Sequence, residues 1–157
     1  MKGRRSWIAP AIAAAVLLVL LLAGALLRGR SSTFTELRGV RLGMTVRDVR
    51  ARFDATGLGQ WDTRVGDDLI LSWRPTDATR DGPIAATFEF HLGVLMAIRA
   101  DVPKGDPAAR GSDFELSDSA VIVRDRTAEG PVRLTVIARS CPIHRKEAAD
   151  LVQQRMR

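Results

Sequence analysis

Cysteine and histidine are nearly missing from this chain. Among 157 residues there is one cysteine, Cys141, and there are two histidines, His91 and His144. A single cysteine excludes an internal disulfide and a cysteine-based zinc site of the usual kind. With two histidines, a metal site would need carboxylate help. The adjacent Asp67 and Asp68 are the nearest such pair in the sequence pattern, but nothing in their spacing fixes a ligand geometry, and no metal is expected. No glycine-rich phosphate cradle is present. Gly39 and Gly43 flank a strand-like stretch and do not form GxGxxG. No serine sits in a nucleophile-elbow pattern. The carboxylates are scattered, with no pair placed across a cleft. No cofactor is expected.

Acidic residues are absent from the first thirty positions, which carry Lys2, Arg4, Arg5, Arg28 and Arg30. This segment therefore holds +5 of the net charge of +6, and residues 31–157 hold +1. The high isoelectric point belongs to the flanks of an apolar run, where it suits anionic lipid headgroups. It is no argument for nucleic-acid binding, and none is expected. Arginine supplies 21 of the 24 basic residues, a bias that reads as codon usage before it reads as phosphate recognition.

The apolar run itself extends from Trp7 to Leu27, 21 residues without a charge. As a helix it would span about 30 Å, the thickness of a hydrocarbon core. Trp7 suits one interface, and Arg28 and Arg30 suit the other. Pro10 falls in the first turn, where a missing N–H is harmless. The expectation is a single-pass inner-membrane anchor over residues 1–30, with residues 7–27 in the bilayer. Two other readings stand beside it. Ala23-Gly24-Ala25 has the small-x-small pattern of a signal-peptidase site, which would give a cleaved, secreted form. Arg4-Arg5-Ser6-Trp7 faintly resembles a twin-arginine signal. The positive charges near the two ends of the run balance. The short basic head before a first apolar segment then favours a periplasmic C-terminal domain.

A polar tether, residues 31–38, leads into one globular domain, residues 39–157, long enough for one core. Thr45 with Asp48 three residues on resembles a capping box, and Val46, Val49 and Phe53 recur at helical spacing. A helix is predicted over about Val46–Phe53. Alternation follows. Trp61–Val65 reads as a weak strand. Leu69, Leu71 and Trp73 share a face of another, ended by Pro75. Phe88 and Phe90 alternate with Glu89 before a tight Leu92-Gly93 hairpin, and Val94, Met96 and Ile98 return. Val102–Asp113 is a loop rich in proline and glycine. Phe114–Leu116 reads as a short strand, and Ala120–Arg124 and Val132–Ala138 as a second hairpin around Thr127–Gly130. A C-terminal helix is predicted from Pro142 to about Arg155. The fold class is α+β: an antiparallel sheet of about five strands with one short helix and one C-terminal helix.

Cys141-Pro142-Ile143-His144 is the one constellation with chemical promise. A cysteine at a helix start is placed where the dipole favours thiolate, and a histidine three residues on can reach it across the first turn. Cys141 and His144 are thus the candidate catalytic pair of a thiol-dependent enzyme. The competing reading makes Cys141 a small buried hydrophobe and His144 a half-buried helix-start residue. His91, at the hairpin turn, reads as an exposed turn residue. Trp73 belongs to the core. Trp61, among Gln60, Asp62 and Arg64, is the candidate partner-binding aromatic.

Val40-Arg41-Leu42-Gly43-Met44-Thr45-Val46-Arg47-Asp48-Val49-Arg50-Ala51-Arg52-Phe53 resembles the opening of SmpA/OmlA (BamE-like) domains. In these an apolar residue and Gly-Met-Thr precede an amphipathic helix. The resemblance covers 14 residues and implies a small α+β envelope domain that binds protein partners without catalysis. The outer-membrane members of that family carry a lipobox cysteine, and this chain has none. The expectation is therefore a membrane-tethered, non-catalytic interaction or scaffold domain of the bacterial envelope. The alternatives are the thiol enzyme, or a cytoplasm-facing domain at the inner membrane.

Overall fold

Thr45 starts the first helix. A computed structural model describes residues 36–54, 59–66, 68–76 and 84–157. In it the Asp48 backbone N–H donates to the Thr45 hydroxyl (3.3 Å), and the Thr45 hydroxyl donates to the Asp48 carboxylate (2.8 Å). This reciprocal cap satisfies donors that the helix end leaves open. The helix, α1, runs Val46–Asp54 and turns Val49 and Phe53 into the core. The expected anchor, Trp7–Leu27, lies outside the described residues. Among the described residues no helix is long and apolar enough to cross a membrane.

Seven strands follow: β1 (Gly59–Val65), β2 (Leu69–Pro75), β3 (Ala85–His91), β4 (Val94–Val102), β5 (Phe114–Leu116), β6 (Ala120–Asp125) and β7 (Val132–Ala138). They form one antiparallel sheet in the order β1-β2-β3-β4-β7-β6-β5. The α+β class and the antiparallel sheet hold, while the count of about five strands is corrected to seven. That count is of the described residues, and the two edge strands, read as a weak strand at Trp61–Val65 and a short one at Phe114–Leu116, both belong to the sheet. β1 is mostly exposed and β5 has three residues, so neither carries the apolar alternation that marks an inner strand.

The β3–β4 hairpin closes through Leu92 (φ 52°) and Gly93 (φ 78°). Positive φ at both positions is the hallmark of the tightest two-residue turn, whose twist matches the strands. Leucine accepts it here with its side chain almost wholly in solvent. A bulge follows. Phe90 faces Leu95, but Glu89 faces Ala97, so Met96 is an extra residue on β4.

Alternation gives the sheet two working faces. The first collects Leu71, Trp73, Phe88, Phe90, Ile98, Ile122, Leu134 and Val136, together with Val49 and Phe53 of α1. Phe53 is the keystone. Its ring meets Trp73 and Phe88 nearly edge-on, with centroids 5.3 and 5.1 Å away. Leu37 and Val40 are also fully buried in this cluster. The packed structure thus reaches back into the segment read as tether, as far as Leu37. On the same face Arg124 is 2% exposed. It donates to the carbonyls of Ala108 (3.0 Å) and Ser112 (2.8 Å) and pairs with Glu115. The Val102–Asp113 loop, with a short 3-10 turn at Pro107–Ala109 capped by Asp106, is pinned over the sheet in this way.

The second face is smaller. Ala97, Val121, Val123 and Ile137 meet the C-terminal helix through Ala148, with Phe114, Leu151 and Val152 around them. That helix, α2, spans Arg145–Arg155, three residues later than expected from Pro142. Cys141–His144 instead forms a turn. The His144 side chain is committed sideways to Cys141 and Glu89 and does not cap the helix. Along β1 the same face remains open, with Gln60, Asp62 and Arg64 exposed.

Candidate functional site

The only cysteine and both histidines of the chain lie at one end of the second face. Cys141 follows β7 by three residues and has no exposed surface. Its Sγ is 3.2 Å from Nδ1 of His144. Nε2 of His144 is in turn 2.7 Å from Oε2 of Glu89 on β3. The other Glu89 oxygen pairs with Arg99 of β4. Arg99 continues to both carboxylate oxygens of Glu147 on α2, at 2.7 and 2.8 Å. A polar chain thus runs Cys141–His144–Glu89–Arg99–Glu147, crossing from the helix turn to the sheet and back to the helix.

Register explains the assembly. Glu89 faces away from Phe88 and Phe90, and the Glu89–Ala97 pairing brings it beside Arg99, two residues further along β4. Sequence reasoning placed Glu89 on the polar face and stopped there. What it missed is that α2 partly covers that face, so a carboxylate that would have been solvated must find partners. Every buried side-chain nitrogen and oxygen among the described residues finds one.

Burial holds the His144 pKa below its ordinary 6.5, because the charged ring would lose solvation. The Glu147 carboxylate opposes this, and the Arg99 guanidinium adds to it. The neutral ring then donates from Nε2 to Glu89, and its Nδ1 accepts a hydrogen bond from the Cys141 thiol. This tautomer is the one that leaves neither partner with two facing protons. In this state the cluster has the connectivity of a thiol, a base and an orienting carboxylate.

His91 is corrected from an exposed turn residue. It is half-buried, and its Nδ1 lies 3.0 Å from Oδ1 of Asp68. The acid that the sequence offered as its possible helper is therefore its partner. Even so, no group of three His, Cys, Asp or Glu side chains among the described residues is placed to hold a metal ion.

Trp61 sits apart, on the first face. Its indole rests against Phe53 and Phe88, both at 6.0 Å. Its N–H donates to Asp54 (2.7 Å), and the Arg50 guanidinium lies over the ring at 5.9 Å. It closes the rim of the core as a half-buried side chain.

Among the described residues, concavities include the following three. A cleft of 560 Å³ runs along one flank of α2, lined by Val121, Ala148 and Val152 with the exposed Asp118, Arg139 and Arg145. A trough of 400 Å³ crosses Ser72, Thr87, Arg99 and Arg133. A groove of 450 Å³ lies on the first face beside the loop before α1, floored by Ile98, Ala120 and Val136 and rimmed by Arg41, Leu42 and Met96.

These features define a small α+β domain with helices on both faces of an antiparallel sheet. No family model, curated protein or solved structure matches the chain.

Proposed function

We propose that this chain is a membrane-tethered, non-catalytic interaction domain of the bacterial cell envelope, anchored through Trp7–Leu27 with its folded part in the periplasm. One observation carries the non-catalytic half: the thiol has no exposed surface, and both nitrogens of its histidine are engaged. A nucleophile must meet its substrate, and this one is spent on fastening α2 to the sheet. The apolar segment and the resemblance of Val40–Phe53 to SmpA/OmlA domains support the tethered, partner-binding half. The groove at Leu42 and Met96, of a size that accepts an anchoring side chain, is the first surface to examine.

The test is photo-crosslinking in cells, with a photoreactive residue at position 42 or 96 and, as control, at Arg133. Discrete protein adducts at the groove positions alone support the reading. Adducts at none of them remove it. A periplasm-dependent reporter at the C-terminus reports orientation, and a silent reporter favours the cytoplasm-facing alternative.

A second reading, thiol-dependent catalysis through Cys141 and His144 with Glu89 orienting the ring, is favoured by the 3.2 and 2.7 Å contacts. Alkylation rate against pH decides it. An inflection near the ordinary thiol value of about 8.5 eliminates an activated nucleophile.

A further inference from the structure

α2 is fastened by polar contacts at its two ends and buries little apolar surface in between. At its start, the turn and first residues carry the Cys141–His144–Glu89 and Arg99–Glu147 contacts. At its far end Arg155 pairs with Asp125 of β6. Between them only Ala148 of the eleven helical residues is buried, and Leu151 and Val152 are half-buried. A 560 Å³ cleft opens along one flank of this middle stretch, between Ala148 and Val152 of the helix and Val121 of the sheet. Packing of this kind forfeits most of the dispersion and burial that would hold a helix down. The sheet does not share the weakness. Its larger core lies on the opposite face with α1, around Phe53, Trp73 and Phe88.

We infer that α2 is a releasable strap: it detaches from the second face as a unit while the sheet stays folded, freeing Cys141 and uncovering the apolar strip of Ala97, Val121, Val123 and Ile137. The fasteners are polar and the strip beneath is apolar, so release exposes apolar surface that the helix covers when closed. Elements that move are drawn from the least stable part of a fold, and the strap is that part here.

The chain supplies its own reporter, since Cys141 is its only cysteine. The full chain in lipid nanodiscs is treated with N-ethylmaleimide across a urea series, with global unfolding followed in parallel by far-UV circular dichroism. Release of the strap alone exposes little surface. The alkylation rate is therefore nearly independent of urea at low concentration and joins the steep global limb only near the transition. Arg155→Ala raises the low-urea rate about two- to fivefold, as an exposed ion pair allows. Glu147→Gln raises it about tenfold, as loss of a charged hydrogen bond allows. Val49→Ala, on the opposite face, moves the global limb and leaves the low-urea rate unchanged. An alkylation rate that follows the global slope throughout overturns the inference, as does the absence of alkylation before the transition. Equal acceleration of the low-urea rate by Val49→Ala also overturns it.

Discussion

Cys141 and His144, three residues apart, are joined side chain to side chain at 3.2 Å, and the bond is oriented by Glu89 from a strand more than fifty residues upstream. Glu89 is the hinge of this arrangement, because it serves His144 with one oxygen and Arg99 with the other. Removing it leaves the buried ring N–H without its acceptor and takes from the Arg99 guanidinium one of its two carboxylates, Glu147 being the other. Glu89→Ala is expected to destabilise the domain by about 2–3 kcal/mol, below the full cost of breaking a buried pair because Glu89 and Arg99 keep some solvent contact. Urea denaturation of the full chain measures it. A loss under half a kcal/mol would mean the chain of contacts contributes nothing to the fold.

The histidine also sets a pH dependence. Its folded pKa is depressed below 6.5 by burial. The unfolded chain therefore binds a proton that the folded chain resists, and stability increases with pH across that window. The contribution is fully present above about pH 6.5 and is lost as pH falls through the folded value. Gln replaces the ring with a neutral side chain that still donates to Glu89. His144→Gln is expected to flatten the stability profile between pH 7 and pH 5, as read from urea midpoints. An unaltered slope would place the acid sensitivity elsewhere.

The first face carries most of the burial, and Phe53 is its most connected ring. It is 1% exposed and touches Trp61, Trp73 and Phe88. Phe53→Ala opens a cavity that three rigid aromatic neighbours cannot collapse, at an expected cost of about 3–5 kcal/mol. Phe53→Leu keeps most of the volume and is expected to cost less than half as much. Equal losses for the two would mean that the ring geometry, and not the filled space, is what the core requires.

Much of this architecture is legible in the residues. The 3.6-residue recurrence of Val46, Val49 and Phe53, and the Thr45–Asp48 spacing, mark α1 within a residue. The period-2 alternation around Phe88 and Ile98 marks the central hairpin. The reach of His144 to Cys141 follows from helix-turn spacing alone. What local pattern cannot carry is long-range register. Nothing near Glu89 announces that residues 141–147 will fold over it, and the sequence offered the Asp67–Asp68 pair to His91 without the register that joins Asp68 to it. One signal was available and is easily passed over. Ala120, Ile122 and Arg124 share a parity, so an arginine stands on the apolar face of β6 and has to be paired there.

That arginine ties the longest loop to the sheet. Arg124 reaches the carbonyls of Ala108 and Ser112 and the carboxylate of Glu115, while Arg126 beside it reaches Ala109 and Gly111. Arg124→Met keeps a similar apolar stem but leaves two carbonyls and a partly buried carboxylate without their donor. The expected loss is about 2–4 kcal/mol, larger than for a surface pair because the guanidinium is almost wholly enclosed. Hydrogen exchange separates this from general loosening. The Asp106 cap holds Ala108 and the turn at Ala109 and Arg110 by local bonds. In the variant these amides are expected to exchange faster by tenfold or more at fixed distance from the global midpoint, while the amides of β3 and β4 keep their relative protection. Uniform acceleration across the sheet would show that Arg124 supports the core as a whole, and the loop would then owe its position to its own turn and its prolines.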